Sequence, residues 1–197
     1  MTEENHKYLN TGERRLEIAA AARQIILEKG FEGLRTREIA ARVGINISTL
    51  HYHVPTKKAL IELVTGSMRQ EFHEHYERIV REDSAPLEEL RLLIHDYREV
   101  MLRKPDLLQL MDALGHRAAF DEDIAITVGE MRRHWFSLFV NVLQRGKEAG
   151  DFRASLDPEA AAHMIVGALV AFQYKPRRLL PLFDSVGEEI IRSILAT

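Results

Sequence analysis

The chain has 197 residues, of which 46% are hydrophobic and 29% charged, so there is apolar material for a packed core and disorder is not the expectation. It has no cysteine, which excludes disulfides, thiol catalysis and cysteine-type zinc sites and suits a reducing cytosol. The formal net charge of -3 hides an asymmetry: Met1 to Leu60 holds ten Lys and Arg against seven acidic residues, a net of +3, and the remainder seventeen against twenty-three, a net of -6. A basic head on an acidic body lets the head approach phosphates while the body does something else.

Met1 to Arg15 is polar, carries both charge signs and lacks the apolar stretch of a signal peptide. The most apolar stretch, Ala160 to Phe172, is shorter than the roughly 20 residues that cross a bilayer. A soluble, cytoplasmic protein is expected, with no membrane partner. The periodicity is helical nearly throughout, without strand alternation or hairpin dipeptides. A first helix is predicted from about Glu13 to Lys29, with Ile18, Ala21, Ala22, Ile25 and Ile26 inside and Gly30 past its end. A second starts after Thr36 as N-cap and buries Ile39, Ala40 and Val43. Asn46 caps a third, Ile47 to His53, and Thr56 caps a long fourth that runs to about Arg81.

Pro86 starts the next helix, with Leu87, Leu90, Ile94, Tyr97 and Met101 on one face. Pro105 breaks it, and a short helix covers about Asp106 to Leu114. A long helix follows from about Asp121 to Ala149, with Ile124, Val128, Met131, Trp135, Leu138 and Val142 along one stripe, and Gly150 ends it. Asp157-Pro158 opens a helix to about Tyr174, and Val186 to Leu195 is the last. The reading is all-α, about nine helices, with residues 1–60 as one domain and 61–197 as another, joined through the fourth helix without a linker.

The informative stretch is Thr36 to His53. Two short helices meet at a turn containing Gly44, and Ile39, Ala40, Val43, Ile45 and Leu50 can close a small core between them. The outer face of the second is left with Ile47, Ser48, His51 and Tyr52, groups that can lie in a major groove. With Ile18 and Ala22, Gly30-Phe31, Val43-Gly44-Ile45, Thr49-Leu50, His53 and Lys57…Leu60 at their spacings, the segment Arg15 to Val64 resembles the N-terminal DNA-binding domain of TetR-family regulators. Gly146…Gly150-Asp151-Phe152…Leu156 to Glu159 is a weaker echo of the family's link before its dimerisation helices.

The resemblance implies a three-helix helix-turn-helix DNA-binding domain and a C-terminal helical domain that binds a small effector and dimerises. It implies that Thr36 and Lys57 hold phosphates, that Arg37 reaches a base edge or a phosphate, and that Ile47, Ser48 and Thr49 face bases. His51, Tyr52 and His53 would flank the backbone. The family usually has tyrosine where this chain has His51 and phenylalanine where it has Val54, which moves the expected phosphate contact to His51 or Tyr52. The expected protein is a ligand-responsive repressor rather than an enzyme. It needs no cofactor or metal, binds palindromic operator DNA as a homodimer, and is released by a largely apolar effector.

Tyr97, Met101, Met111, Trp135 and Phe139 are candidates to line an effector cavity, and equally to pack the core. Ala161, Ile165, Ala168 and Phe172 with Ile190, Ile191 and Ile194 form a stripe that suits either the protomer's core or the dimer interface, and the resemblance favours the interface. Lys57-Lys58 reads as a solvated pair in isolation and as a phosphate site at the start of its helix. His51 and His53 have no partner ligands for a metal. His73 and His75 point to different faces of one helix, and His95, His116, His134 and His163 are isolated. Asp112…His116 is the nearest approach to a catalytic pair and reads better as a surface ion pair, so an enzyme is a weak rival. A protein-binding adaptor is a second rival, which the basic head and the open face of the third helix speak against. A transcriptional activator of the same fold fits these residues as well as a repressor does.

Overall fold

The computed structural model describes residues 10–79 and 84–196. The polar leader before Asn10, the fourth helix's end near Arg81 and the side chain of His75 lie outside what is described. The described residues form nine α-helices: α1 (Thr11–Lys29), α2 (Thr36–Val43), α3 (Ile47–His53), α4 (Lys57–Ile79), α5 (Pro86–Arg103), α6 (Pro105–Ala118), α7 (Glu122–Ala149), α8 (Pro158–Phe172) and α9 (Leu180–Ile194). The all-α reading is borne out. Among the described residues an isolated antiparallel bridge joins Phe152 and Leu195. No helix among the described residues is long and apolar enough to cross a membrane.

Several helix ends differ from the sequence reading, each for a local reason. A capping box starts α1 at Thr11: the Glu13 N–H donates to Asn10 Oδ1 at 2.9 Å, and the Asn10 N–H donates to the Glu13 carboxylate at 3.0 Å. Arg35, in an extended conformation, occupies the cap of α2, so Thr36 is the first helical residue and not the expected cap. Pro105 opens α6, which extends to Ala118, and Pro181 sits in the first turn of α9. A first turn has no intrahelical acceptor for the missing N–H, so proline there starts a helix as readily as it ends one. The caps predicted at Asn46, Thr56 and Asp157 are present: each side chain accepts a backbone N–H from the turn that follows, at 2.7–3.1 Å.

The chain divides into two compact units. One gathers the residues up to Gln70 with Gln109–Val128, and the other Glu71–Leu108 with Gly129 onward. In the first, α1 packs on α2 and α3, and Ile18, Ala22, Ile25, Ile39, Leu50 and Val64 are buried. In the second, α5, α7, α8 and α9 contribute to one core of Leu90, Ile94, Tyr97, Phe139, Val142, Leu169, Phe183 and Ile191. Along α7, Ile124, Val128, Met131 and Val142 are buried as expected, whereas Trp135 and Leu138 are half-buried.

The Gly146…Phe152 echo has a physical basis. The Phe152 ring lies on Gly146 so closely that a Cβ there would stand 2.1 Å from its edge, and the Phe152 N–H donates to the Gly146 carbonyl at 3.1 Å. Phe152 is thereby buried and anchors the link between α7 and α8 beside the end of α9, where the Arg153 N–H donates to the Ile194 carbonyl at 2.9 Å.

Candidate nucleic-acid interface

The reading head is built from helices too short to stand alone. α2 has eight residues and α3 seven, well under the roughly 12–15 at which isolated helices become marginal in water. The turn between them is fixed by Gly44 in the left-handed region (φ 71°, ψ 32°), while the Ile45 N–H donates back to the Ala40 carbonyl at 3.0 Å. Leu50 and Val54, both buried, hold α3 to the core. Polar cross-links complete the clamp. Arg42 donates from both terminal nitrogens to the two oxygens of Glu28, at 2.9 and 2.6 Å, and reaches Glu38 at 3.3 Å. Lys29 also holds Glu38, at 2.8 Å. These contacts hold the Glu28 carboxyl below its usual value, chiefly through the Arg42 hydrogen bond, and that of Glu38, chiefly through Lys29. At the other end of α3, Arg15 donates to the His53 carbonyl at 2.8 Å.

That scaffold leaves one face of α3 open. Ile47 is 40% exposed and Tyr52 78% exposed, and Ser48 and His51 are exposed with them. Thr36, Arg37 and Lys57 are exposed too, so the structure brings these seven candidates out at the surface of one unit. Thr49 is half-buried, and its N–H is occupied by the Asn46 cap. His53 is half-buried as well: its ring packs edge-on against Tyr52 with centroids 5.1 Å apart, and its Nδ1 is buried without a partner. Lys57 hydrogen-bonds Asp121 at 3.3 Å and Lys58 hydrogen-bonds Asp123 at 2.7 Å.

In the second unit, Tyr97, Trp135 and Phe139 form a continuous aromatic run. Tyr97 stacks on Trp135 at 5.5 Å, and Trp135 meets Phe139 edge-on at 5.4 Å. The Tyr97 hydroxyl donates to Gln173 Oε1 at 2.9 Å, and Met101 packs against the same core. Met111 belongs to the first unit. Of the stripe expected at the dimer interface, Ala161, Ile165, Ile191 and Ile194 are buried inside their own protomer, Phe172 and Ile190 are half-buried against that core, and Ala168 is half-buried. The outer face of α8 is instead Ala160, Met164, Gly167 and Ala171, all exposed, with Tyr174 just beyond the helix.

Two family models match this chain. The one described as bacterial regulatory proteins, tetR family, covers residues 18–64, and the one described as tetracyclin repressor-like, C-terminal domain, covers residues 83–174. Together they take in more than half of the sequence. The chain belongs to the TetR family of transcriptional regulators. As a TetR-family member it is a DNA-binding regulator with an N-terminal helix-turn-helix. Among its relatives is the HTH-type transcriptional repressor KstR2 of Mycolicibacterium smegmatis, 26% identical over 92% of this chain and 89% of that protein. Another is the fatty acid metabolism regulator protein of Bacillus subtilis, 24% identical over 78% of each. The solved structure of the ketosteroid transcriptional regulator KstR2 of Mycobacterium tuberculosis has the same fold, with a TM-score of 0.67 and 20% identity over 93% of this chain and 96% of that one.

Beside the predicted contacts, this TetR-family head uses residues that sequence reasoning passed over. Arg15 ties the end of α3 to α1, and the Arg42–Glu28 pair ties α2 to α1. An acidic residue at the end of α1 and an arginine at the end of α2, fourteen positions apart, are a usable signal once the helices are known to pack. Asp121 and Asp123 had no such signal, because they reach residues more than sixty positions away.

Proposed function

We propose that this regulator is a repressor that binds a near-palindromic operator as a dimer and leaves it when a small, largely apolar effector binds the C-terminal part. The observation that carries the reading is the bare outer face of α3, on a helix that caps, core contacts and cross-links hold rigid. In this reading Ile47, Ser48 and Thr49 face bases, with Ile47 suited to thymine methyls. Thr36, Lys57, His51, Tyr52 and His53 flank the backbone, and Arg37 reaches a base edge or a phosphate.

Dimerisation runs through the exposed side of α8. Met164 is 75% exposed, and Ala160, Gly167 and Ala171 beside it are small enough for two helices to approach closely. Leu182 on α9 is a second exposed apolar side chain, 50% exposed. In the same reading the effector binds at the aromatic run of Tyr97, Trp135 and Phe139, a choice supported by the ring contacts and by the polar pair of Tyr97 and Gln173 beside them. The names of the relatives support this chemistry: one is a repressor, one a regulator of fatty acid metabolism, and a structural neighbour a ketosteroid regulator. An effector releases DNA only to the extent that it binds the DNA-incompetent state more tightly. α4 and α7 each carry residues of both units and are the natural levers.

Selection from a random-sequence duplex pool tests the reading. The expected product is an inverted repeat with half-sites about 34–36 Å apart, or a multiple of that. Failure to enrich any sequence overturns it. A promoter fusion then reads the sign of regulation.

A further inference from the structure

The first turn of α4 and the first turn of α7 meet through two ion pairs of the same polarity. Lys57 Nζ stands 3.3 Å from Asp121 Oδ2, and Lys58 Nζ stands 2.7 Å from Asp123 Oδ1. Asp121 is well placed for this. Its other oxygen faces the Ile124 N–H at 3.4 Å, so the carboxylate caps α7 while turning its free oxygen to the lysine. Arg117 approaches the same oxygen at 3.9 Å. Burial alone would raise the Asp121 carboxyl, but the Lys57 hydrogen bond, the Ile124 amide and the charges of Lys57 and Arg117 outweigh it and hold it below its usual value. Asp123 in turn raises the Lys58 ammonium.

We propose that Asp121 and Asp123 are internal stand-ins for DNA phosphates: they hold Lys57 and Lys58 in the DNA-free protein, and the operator must displace them. The inference rests on the reading of this face as the DNA interface. Three observations carry it. The lysines begin the helix that follows α3, four and five residues past its end, on the face read above as the DNA interface. Both remain more than half exposed although paired, so a phosphate can reach them without any change in the fold. And the partners are carboxylates, the side-chain groups nearest to phosphate oxygens in charge and acceptor chemistry. The competition is electrostatic. An ammonium has donors for both partners, but a carboxylate already beside it cancels its charge and repels the incoming phosphate. Exposed pairs are individually weak, which a displaceable latch requires.

The test uses the full-length protein and a short random-sequence duplex at low salt, because phosphate contacts bind any sequence. Asp121→Asn keeps the cap of α7, since asparagine caps as well as aspartate. The Asp121→Asn, Asp123→Asn double variant is expected to bind roughly fivefold to tenfold more tightly than the wild type. In a Lys57→Ala, Lys58→Ala background the same two changes are expected to have little effect. Glu122→Gln, which removes one negative charge from the residue between them, half of what the double variant removes, is expected to leave affinity unchanged. A gain that persists without the lysines, or that Glu122→Gln reproduces, means a general charge effect and overturns the latch. So does equal affinity of wild type and double variant. If no protein in the set binds DNA at any salt, the interface reading fails and the latch with it.

Discussion

The two units reach order by different means. The first sets the short α2 and α3 against α1 around small and branched residues, and caps and polar cross-links fix them there: Asn46, Gly44, the Arg42–Glu28 fork and Arg15 on the His53 carbonyl. The second uses long helices around large side chains, with Phe139, Phe152 and Phe183 fully buried and Tyr97, Trp135 and Phe139 in ring contact. A part that reads DNA must present a few side chains in a fixed register, which directional contacts provide. A part that admits a ligand must repack, which non-directional apolar contacts allow.

Mutations can break that contrast. The largest effect is expected for Phe139→Ala, at about 3–5 kcal/mol of stability from lost burial and the cavity left behind. The melting temperature should fall, and DNA affinity below the melt should hold. A variant that loses DNA affinity while its melting temperature holds would contradict the division of labour. Ile47→Ala should do the reverse: about 1–3 kcal/mol lost in operator affinity, no change in binding to random DNA, and an unchanged melting temperature, because the side chain sits on the open face of α3.

The head was legible in the sequence because its signals are local. Gly44, Asn46 and Thr56 mark their turns by residue type, and Ile39, Ala40 and Leu50 mark the inner face by spacing. The cap of α2 was misplaced by one residue because a threonine before a helical run reads as a cap wherever the preceding residue cannot be seen to be extended. The body was less legible. α8 is apolar on nearly every side, so spacing alone does not say which of its apolar residues face a partner. The fold decides it: Ile165 is buried in the core and Met164 is exposed. The pairing of Asp121 with Lys57 spans sixty-four positions and leaves no pattern that a local reading can detect.

Smaller effects sharpen the comparison. Asn46→Ala removes the cap of α3 and should cost about 1 kcal/mol. Hydrogen exchange would localise the loss to the helix-turn-helix, and a loss spread over both units would count against an independently clamped head. The Arg42 fork should be sensitive to acid. The folded carboxyls of Glu28 and Glu38 lie below the ordinary value near 4.5, so the contribution is present above that value and is lost as pH falls through their folded values. The difference in melting temperature between wild type and Arg42→Met should therefore shrink on acidification. A difference that stays constant down to the acid transition would show that Arg42 acts by packing alone.

The central claim is that α3 and the start of α4 form a DNA-reading face. Fluorescence anisotropy of the wild type and Lys57→Ala on the selected operator and a scrambled duplex, across a salt series, tests it most directly. The account predicts selective, steeply salt-dependent binding by the wild type. It also predicts a Lys57→Ala protein that is weaker on both duplexes, keeps its sequence preference, and loses about one unit of salt slope. Equal binding to operator and scrambled DNA, or an unchanged slope in the variant, would contradict it.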